Sequence, residues 1–347
     1  MICLILAGGR GVRLWPESTE ARPKQFCKFF GDKSMLEQTI DRTMAVGADT
    51  VMIVTSQDQA ETVEQVVRSG NYDGVEVIGE PQGKNTAPAV GLAIARYFDS
   101  RPEDVIAVFP SDHFVSDVAA FRWVLDKAVK AAQAGYLVTI GIKPSYPETG
   151  YGYIQADSHD ISGIAGVYRV KSFKEKPDSV TAEHYINSGG YFWNAGIFVG
   201  RIDVFAQEFA RHLPEVYRFI EKGFGDYLAS YDSLPEISID YGIAEKSDRV
   251  AVVPGDFGWS DVGSWKALAD LFEGDKDGNV LLGPDIIAVN AGNCLVKQNH
   301  RTVALLGVRD LVVVETPEVV MVCHKEEAQK VRILVDILSE MGKNHLL

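Results

Sequence analysis

Three glycines, three arginines and a lysine crowd the amino-terminal stretch MICLILAGGRGVRLWPESTEARPKQF. Gly8, Gly9 and Gly11 interrupt the apolar run that ends at Leu6, and Arg10, Arg13 and Lys24 accompany them. Successive backbone N–H groups in such a loop form a concave anion site, and the cations supply counter-charge for a polyphosphate. The segment reads as a nucleotide-phosphate cradle at a strand end; a tight strand-to-helix turn with solvated basic residues is the competing reading. Two familiar phosphate loops do not fit. The dinucleotide fingerprint would need glycine where Leu14 stands, and no Gly-Lys-Ser/Thr of a P-loop occurs here.

Carboxylates suited to the same chemistry lie further along. Asp112, in Pro110-Ser111-Asp112-His113, follows an apolar run and suits Mg²⁺, an ion held by one or two carboxylates plus substrate phosphates; an Asx cap of the next turn explains it equally. Ser111, Asp112 and His113 spell a hydrolase triad, but three consecutive side chains diverge. Asp261 sits in Phe257-Gly-Trp-Ser-Asp-Val-Gly-Ser-Trp265, whose tryptophans mark a binding loop, with helix capping near Ser264 as its alternative. Glu80 opens the segment EPQGKNTAP, where a carboxylate could accept from the two adjacent donors of guanine. Asn85 and Thr86 share that segment as ligand contacts or as helix caps, with Pro88 in the first turn. In Phe173-Lys-Glu-Lys-Pro177, Lys176 can neutralise a sugar phosphate and Glu175 can accept from sugar hydroxyls, unless the triplet is a solvated edge. Asn194 offers both a donor and an acceptor.

These residues need a scaffold, and the hydrophobic pattern supplies one. Strand-like runs at Ile2 to Leu6, Thr50 to Val54, Val75 to Ile78, Val105 to Phe109 and Leu137 to Ile142 alternate with helical patterns at Met35 to Val46, Ala60 to Val67, Ala87 to Tyr97 and Ala119 to Ala134. That alternation predicts a mostly parallel α/β sheet covered on both faces, with ligands beyond the carboxyl ends of its strands. Later strands are expected at Gly150 to Ile154, Val167 to Glu175 and Ile197 to Val199. The turn EGDKDG at Glu273 to Gly278 is the expected boundary, giving domains 1–275 and 276–347. Beyond it, short β-branched runs suggest a few coils of a β-helix. A closing helix follows, its apolar face Ala328, Val331, Val335 and Leu338 suited to the β unit or to a second copy of the chain.

Composition excludes some partners. The 347-residue chain carries a net charge of −14, so nucleic acid and anionic membrane surfaces, which need a basic face, are not expected. Cys3, Cys27, Cys294 and Cys323 form no CxxC pair, which fits buried thiols in a reducing compartment. The opening apolar run is too short for a membrane span and lacks a preceding positive charge, so the cytoplasm is the expected location.

Taken in order, LILAGGRGVRLWP with PKQF, EPQGKNTAPA, PSDH, TGYGYI, FKEKP, NAGIF and FGWSDVGSW resemble the sugar-1-phosphate nucleotidylyltransferases, and among them the mannose-1-phosphate guanylyltransferases. The resemblance implies a Rossmann-like α/β catalytic domain, with a mixed and mostly parallel sheet, followed by a small left-handed β-helix unit and a terminal helix. It implies the reaction of GTP with α-D-mannose 1-phosphate to give GDP-mannose and pyrophosphate, with Mg²⁺ or another divalent ion. By motif, Leu6, Ala7, Gly8, Gly9, Gly11, Glu80, Asn85, Thr86, Pro88, Ser111 and Asp112 would meet the nucleotide. Gly152, Glu175, Lys176 and Asn194 would meet the sugar phosphate, and Asp112 and Asp261 the metal. Arg13 and Lys24 would act on the leaving group and Lys176 on the attacking phosphate. The rival expectations are another hexose 1-phosphate or nucleotide, and a catalytically silent nucleotide-sugar sensor. A homodimer through the C-terminal region is a further expectation.

Overall fold

The computed structural model describes every residue except Arg10 and Ser162. It divides into two compact units. Unit 1 comprises Met1–Gly8, Glu37–Ser111 and Val115–Trp259, and unit 2 comprises Gly9–Leu36, Asp112–Phe114 and Ser260–Leu347. These units differ from a single cut at 275/276. The reason is apolar: Leu14, Trp15, Cys27 and Phe29 of the glycine-loop segment share one core with Val262, Trp265, Val280 and Leu295.

Unit 1 is built on a nine-stranded sheet. Its strands are β1 (Ile2–Leu6), β2 (Thr50–Ser56), β3 (Val75–Glu80), β4 (Val105–Pro110), β5 (Leu137–Ile142), β6 (Gly152–Asp160), β7 (Tyr168–Glu175), β8 (Tyr191–Arg201) and β9 (Val250–Gly255). Their order is β3-β2-β1-β4-β8-β5-β9-β7-β6. The first four run parallel, as do β5 and β9, whereas β8 is antiparallel to both β4 and β5. Ile2, Cys3, Leu4 and Ile5 are all fully buried, as expected for a central parallel strand covered on both faces. Strand β8 is longer than its apolar stretch predicts. Asn194 and the left-handed Gly196 interrupt the alternation, and the pairing with β5 shifts register between Thr139 and Gly141.

The helices of unit 1 are α1 (Met35–Ala45, beginning in unit 2), α2 (Ala60–Ser69), α3 (Thr86–Tyr97), α4 (Val118–Gln133), α5 (Ser179–Ser188), α6 (Ile202–His212), α7 (Pro214–Ile220) and α8 (Phe224–Ala229). Side-chain caps start α3, α4 and α5. Asn85 Oδ1 accepts from Thr86 N–H, Asp117 from Ala120 N–H and Asp178 from Thr181 N–H, each satisfying an otherwise orphaned donor.

Unit 2 carries the short helix α9 (Trp265–Ala269) and six strands: β10 (Val280–Leu282), β11 (Ile286–Val289), β12 (Leu295–Lys297), β13 (Val303–Leu306), β14 (Leu311–Glu315) and β15 (Val320–His324). Strands β10, β12 and β14 stack in parallel, and so do β11 and β13. Each coil thus lays its strands on those of the coil before, as a β-helix does. Strand β15 turns back antiparallel on β14. The closing segment is a 3-10 turn, Lys325–Val331, followed by α10 (Arg332–Glu340). Ala328 and Val331 are buried in the unit 2 core, and Val335 and Leu338 pack against it, so the expected apolar face is used within the chain. Among the described residues no helix is long and apolar enough to cross a membrane.

Trp265 anchors this core. It is fully buried, donates from Nε1 to the Trp15 carbonyl at 3.0 Å and meets Phe29 edge-on at 6.1 Å. Replacing Trp265 with alanine should therefore destabilise the protein by roughly 3–5 kcal/mol, read from urea unfolding, because a large cavity and an unpaired carbonyl are left behind. The exposed Val180→Ala should stay within about 0.5 kcal/mol of wild type in the same experiment.

Candidate active site

In unit 2 the glycine loop is tied to the lysine that follows it. Gly11 has φ +51°, and a Cβ there would lie 2.7 Å from Lys24 Cβ and 3.1 Å from Lys24 N. Both the backbone conformation and the close approach therefore demand glycine. Gln25 Nε2 donates to the Gly9 carbonyl at 3.0 Å, closing the loop from the other side. Arg10 lies outside the described residues.

Lys24 is nearly buried. Its ammonium donates to Asp112 Oδ2 at 2.9 Å and to the Asp261 main-chain carbonyl, so one cation joins three segments far apart in sequence. A cavity of about 320 Å³ opens beside it, lined by Gly9, Gly11, Arg13, Lys24, Asp112 and Asp261 among others. Burial pushes the Asp112 carboxyl up, but Lys24 and His113 outweigh it and hold the group below the ordinary carboxylate range. Asp261 Oδ1 accepts from Gly263 N–H at 3.0 Å, which orients its carboxylate. Among the described residues no group of three or more His, Cys, Asp or Glu forms a metal cage. Asp112 and Asp261 line the same cavity, and a hard cation is commonly held by one or two carboxylates together with substrate phosphates and water.

In unit 1, Glu80 at the end of β3 is only 6% exposed. Its Oε2 accepts from the Tyr231 hydroxyl at 2.5 Å, while Oε1 lies 2.7 Å from where a Cβ on Gly8 would stand. Burial raises its pKa against the opposing Tyr231 hydrogen bond. These contacts enclose the carboxylate between Tyr231 and the Gly8 backbone. Thr86 is used internally, its hydroxyl accepting from Ile239 N–H at 2.9 Å. Pro88 is buried in α3 and its carbonyl accepts from Tyr227 at 2.9 Å, which makes it a packing residue. Asn85 remains exposed. Ala7 and Ser111 lie at the ends of the central strands: Ala7 N–H donates to Val54 O, and Ser111 N–H donates to Leu6 O.

The structure gathers Glu175, Lys176, Gly152 and Asn194 into a second cluster of unit 1. Gly152 faces Glu175 across β6 and β7, and a Cβ there would stand 2.5 Å from Glu175 Oε2 and 3.2 Å from the Phe173 ring. Lys176 takes the left-handed φ of +46° while its N–H donates to Tyr151 O at 3.1 Å, and its ammonium lies 3.2 Å from Glu175 Oε1. Asn194 is locked, with Oδ1 accepting from the Thr139 hydroxyl at 2.7 Å and Gly196 N–H at 3.1 Å, and Nδ2 donating to Asp240 Oδ1 at 2.8 Å. Asp240 and Glu245, which accepts from Glu175 N–H at 2.7 Å, were not anticipated, because the sequence EISIDYGIAEKS that carries them shows no motif spacing. Burial, then Asp240, push the Glu175 carboxyl up to about 7, with Lys176 pulling the other way.

A strand-end glycine loop, a cation-lined cavity with two carboxylates and an open α/β sheet define a protein built to hold a polyphosphate. Residues 2–278 match the nucleotidyl transferase family, and residues 285–338 match a MannoseP isomerase/GMP-like beta-helix domain. The chain belongs to the nucleotidyl transferase family. It is 38% identical to the alginate biosynthesis protein AlgA of Pseudomonas aeruginosa, over 99% of this chain and 73% of that one. It is 36% identical to the mannose-1-phosphate guanylyltransferase of Klebsiella pneumoniae, over 98% of this chain and 74% of that one. A solved structure from Thermus thermophilus, described as mannose-1-phosphate geranyltransferase, superposes with a TM-score of 0.88 at 38% identity, covering 97% of this chain and 99% of that one.

The Glu175 environment has a pH signature. Its carboxyl rises from 4.5 to about 7 on folding, so the folded chain binds this proton more tightly than the unfolded chain. The stability it contributes is present below the unfolded value and is lost as pH rises through the folded one. Relative to wild type, Glu175→Gln should therefore gain stability between about pH 5 and about pH 8, measured as the difference in urea-unfolding free energy. An unchanged difference at the two pH values would contradict the raised carboxyl.

Proposed function

We propose that this protein transfers the guanylyl group of GTP to α-D-mannose 1-phosphate, giving GDP-mannose and pyrophosphate. The observation that carries the reading is the unit 2 cavity, where the glycine loop, Arg13, Lys24, Asp112 and Asp261 meet. Relatives named for this reaction align over nearly the whole chain.

The chemistry needs no nucleophile from the protein. A sugar-phosphate oxygen attacks the α-phosphorus in line, the bond to the bridging β-phosphate oxygen breaks, and pyrophosphate departs with that electron pair. The protein must overcome repulsion between two anions and stabilise charge on the group that leaves. Arg13 and Lys24 grip the departing phosphates, and the backbone N–H groups of the glycine loop hold the chain of phosphates in register. Lys176 neutralises the sugar phosphate, half-exposed and held by its left-handed backbone at the end of β7. Glu175 and Asn194 take the sugar hydroxyls, and Gly152 lets backbone lie close to the ring. Asp112 and Asp261 would hold Mg²⁺ or another divalent ion, which supplies positive charge to the phosphates when bound. Among the residues expected to meet the base, Asn85 is the exposed polar one, its Oδ1 accepting from Thr86 N–H.

Pyrophosphate release, assayed over a matrix of four nucleoside triphosphates and several sugar 1-phosphates, should be greatest for GTP with mannose 1-phosphate. No activity in that combination would overturn the reading. Arg13→Ala should lower turnover roughly a hundredfold or more, comparable to losing one preorganised donor to developing charge, and near-normal turnover would remove Arg13 from leaving-group stabilisation.

A further inference from the structure

The cavity of unit 2 has a cationic wall that no motif announces. Arg332, the first residue of α10, lines it together with Arg13 and Lys24. The residues before it fix its position: Ala328 and Val331 are buried in the unit 2 core, so the helix starts at the cavity with its backbone anchored. Its side chain is exposed, and among the described residues no hydrogen bond or ion pair engages its guanidinium.

The charge balance of the cavity gives this arginine a role. Lys24 already donates to Asp112 and to the Asp261 carbonyl. Among the described lining residues the carboxylates of Asp112 and Asp261 face the side-chain cations of Arg13 and Lys24, and Arg332 adds a third such cation. A chain of net charge −14 offers no long-range help to an incoming polyanion, so local cations must do the holding. Guanidinium suits the task, since its planar fork binds two phosphate oxygens at once.

We infer that Arg332 is a third phosphate-binding cation of this cavity and grips the pyrophosphate group from the side of the terminal helix. The assignment rests on the nucleotidyl-transfer reading above, and it gives the C-terminal segment a part in substrate binding beyond packing on the β-helix.

Calorimetric binding of magnesium pyrophosphate to the full-length protein tests it. Arg332→Met keeps the stem and removes the charge; it should weaken binding about tenfold or more, and Arg332→Lys should recover part of that loss. Lys330→Met removes a nearby exposed charge that pairs with Glu327 at 2.7 Å and does not line the cavity, and it should bind as wild type does. In steady-state assays Arg332→Met should raise the product-inhibition constant for pyrophosphate by a similar factor while leaving KM for mannose 1-phosphate within about twofold. Wild-type binding of magnesium pyrophosphate by Arg332→Met overturns the assignment of Arg332 alone. Failure of the wild-type protein to bind it overturns that assignment together with the proposed reaction.

Discussion

The Lys24 ammonium is the contact on which unit 2 depends. Placed between the Asp112 carboxylate and the Asp261 carbonyl, it draws the segment after the glycine loop, the turn after β4 and the tryptophan loop into one wall. A nearly buried ammonium demands such partners, because desolvating an unpaired cation is far more expensive than desolvating a paired one. Gly11 permits the contact: any larger residue there would collide with Lys24 itself. The anion cradle and the paired carboxylates are thus consequences of one packing solution, with the apolar cluster of Leu14, Trp15, Phe29 and Trp265 behind it.

Unit 1 repeats a different device twice. Glu80 rests over Gly8 and Glu175 over Gly152, and in both places an added Cβ would strike the carboxylate. Burial raises the pKa of both acids, and each has one polar neighbour that opposes the rise, Tyr231 for Glu80 and Lys176 for Glu175. The outcomes diverge with exposure. Glu80 is closed in by Tyr231 and the Gly8 backbone, whereas Glu175 stays next to the half-exposed Lys176. Two similar strand-end glutamates thereby end in different surroundings, one enclosed and one beside a half-exposed cation.

Much of the fold was legible because hydrophobic periodicity reports local burial. The strands β1 to β5 and the helices between them lie within a residue or two of their apolar runs, and the short β-branched runs after Gly278 became the stacked coils of unit 2. Strand β8 exceeded its apolar run because Asn194 and Gly196 sit inside it for reasons of hydrogen bonding and chain direction, which an alternation pattern does not register. That the glycine-loop segment joins the unit 2 core was less legible, since the sequence shows where a turn falls and not which core a segment joins.

At the site, the sequence by itself determined the kind of chemistry: glycines beside cations at a strand end, isolated acids after apolar runs, and an ordered set of motifs specific enough to indicate a nucleotidyl transferase. Those features are local, so residue type and spacing suffice to reveal them. Only the tertiary structure decided which polar groups remain available. It enclosed Glu80, engaged the Thr86 hydroxyl and the Pro88 carbonyl in hydrogen bonds within the fold, brought Asp240 and Glu245 to Glu175, and set Arg332 on the wall of the unit 2 cavity. The physical reason is that burial and hydrogen-bond partners are properties of chain segments meeting over long sequence separations, and no spacing within one segment encodes them.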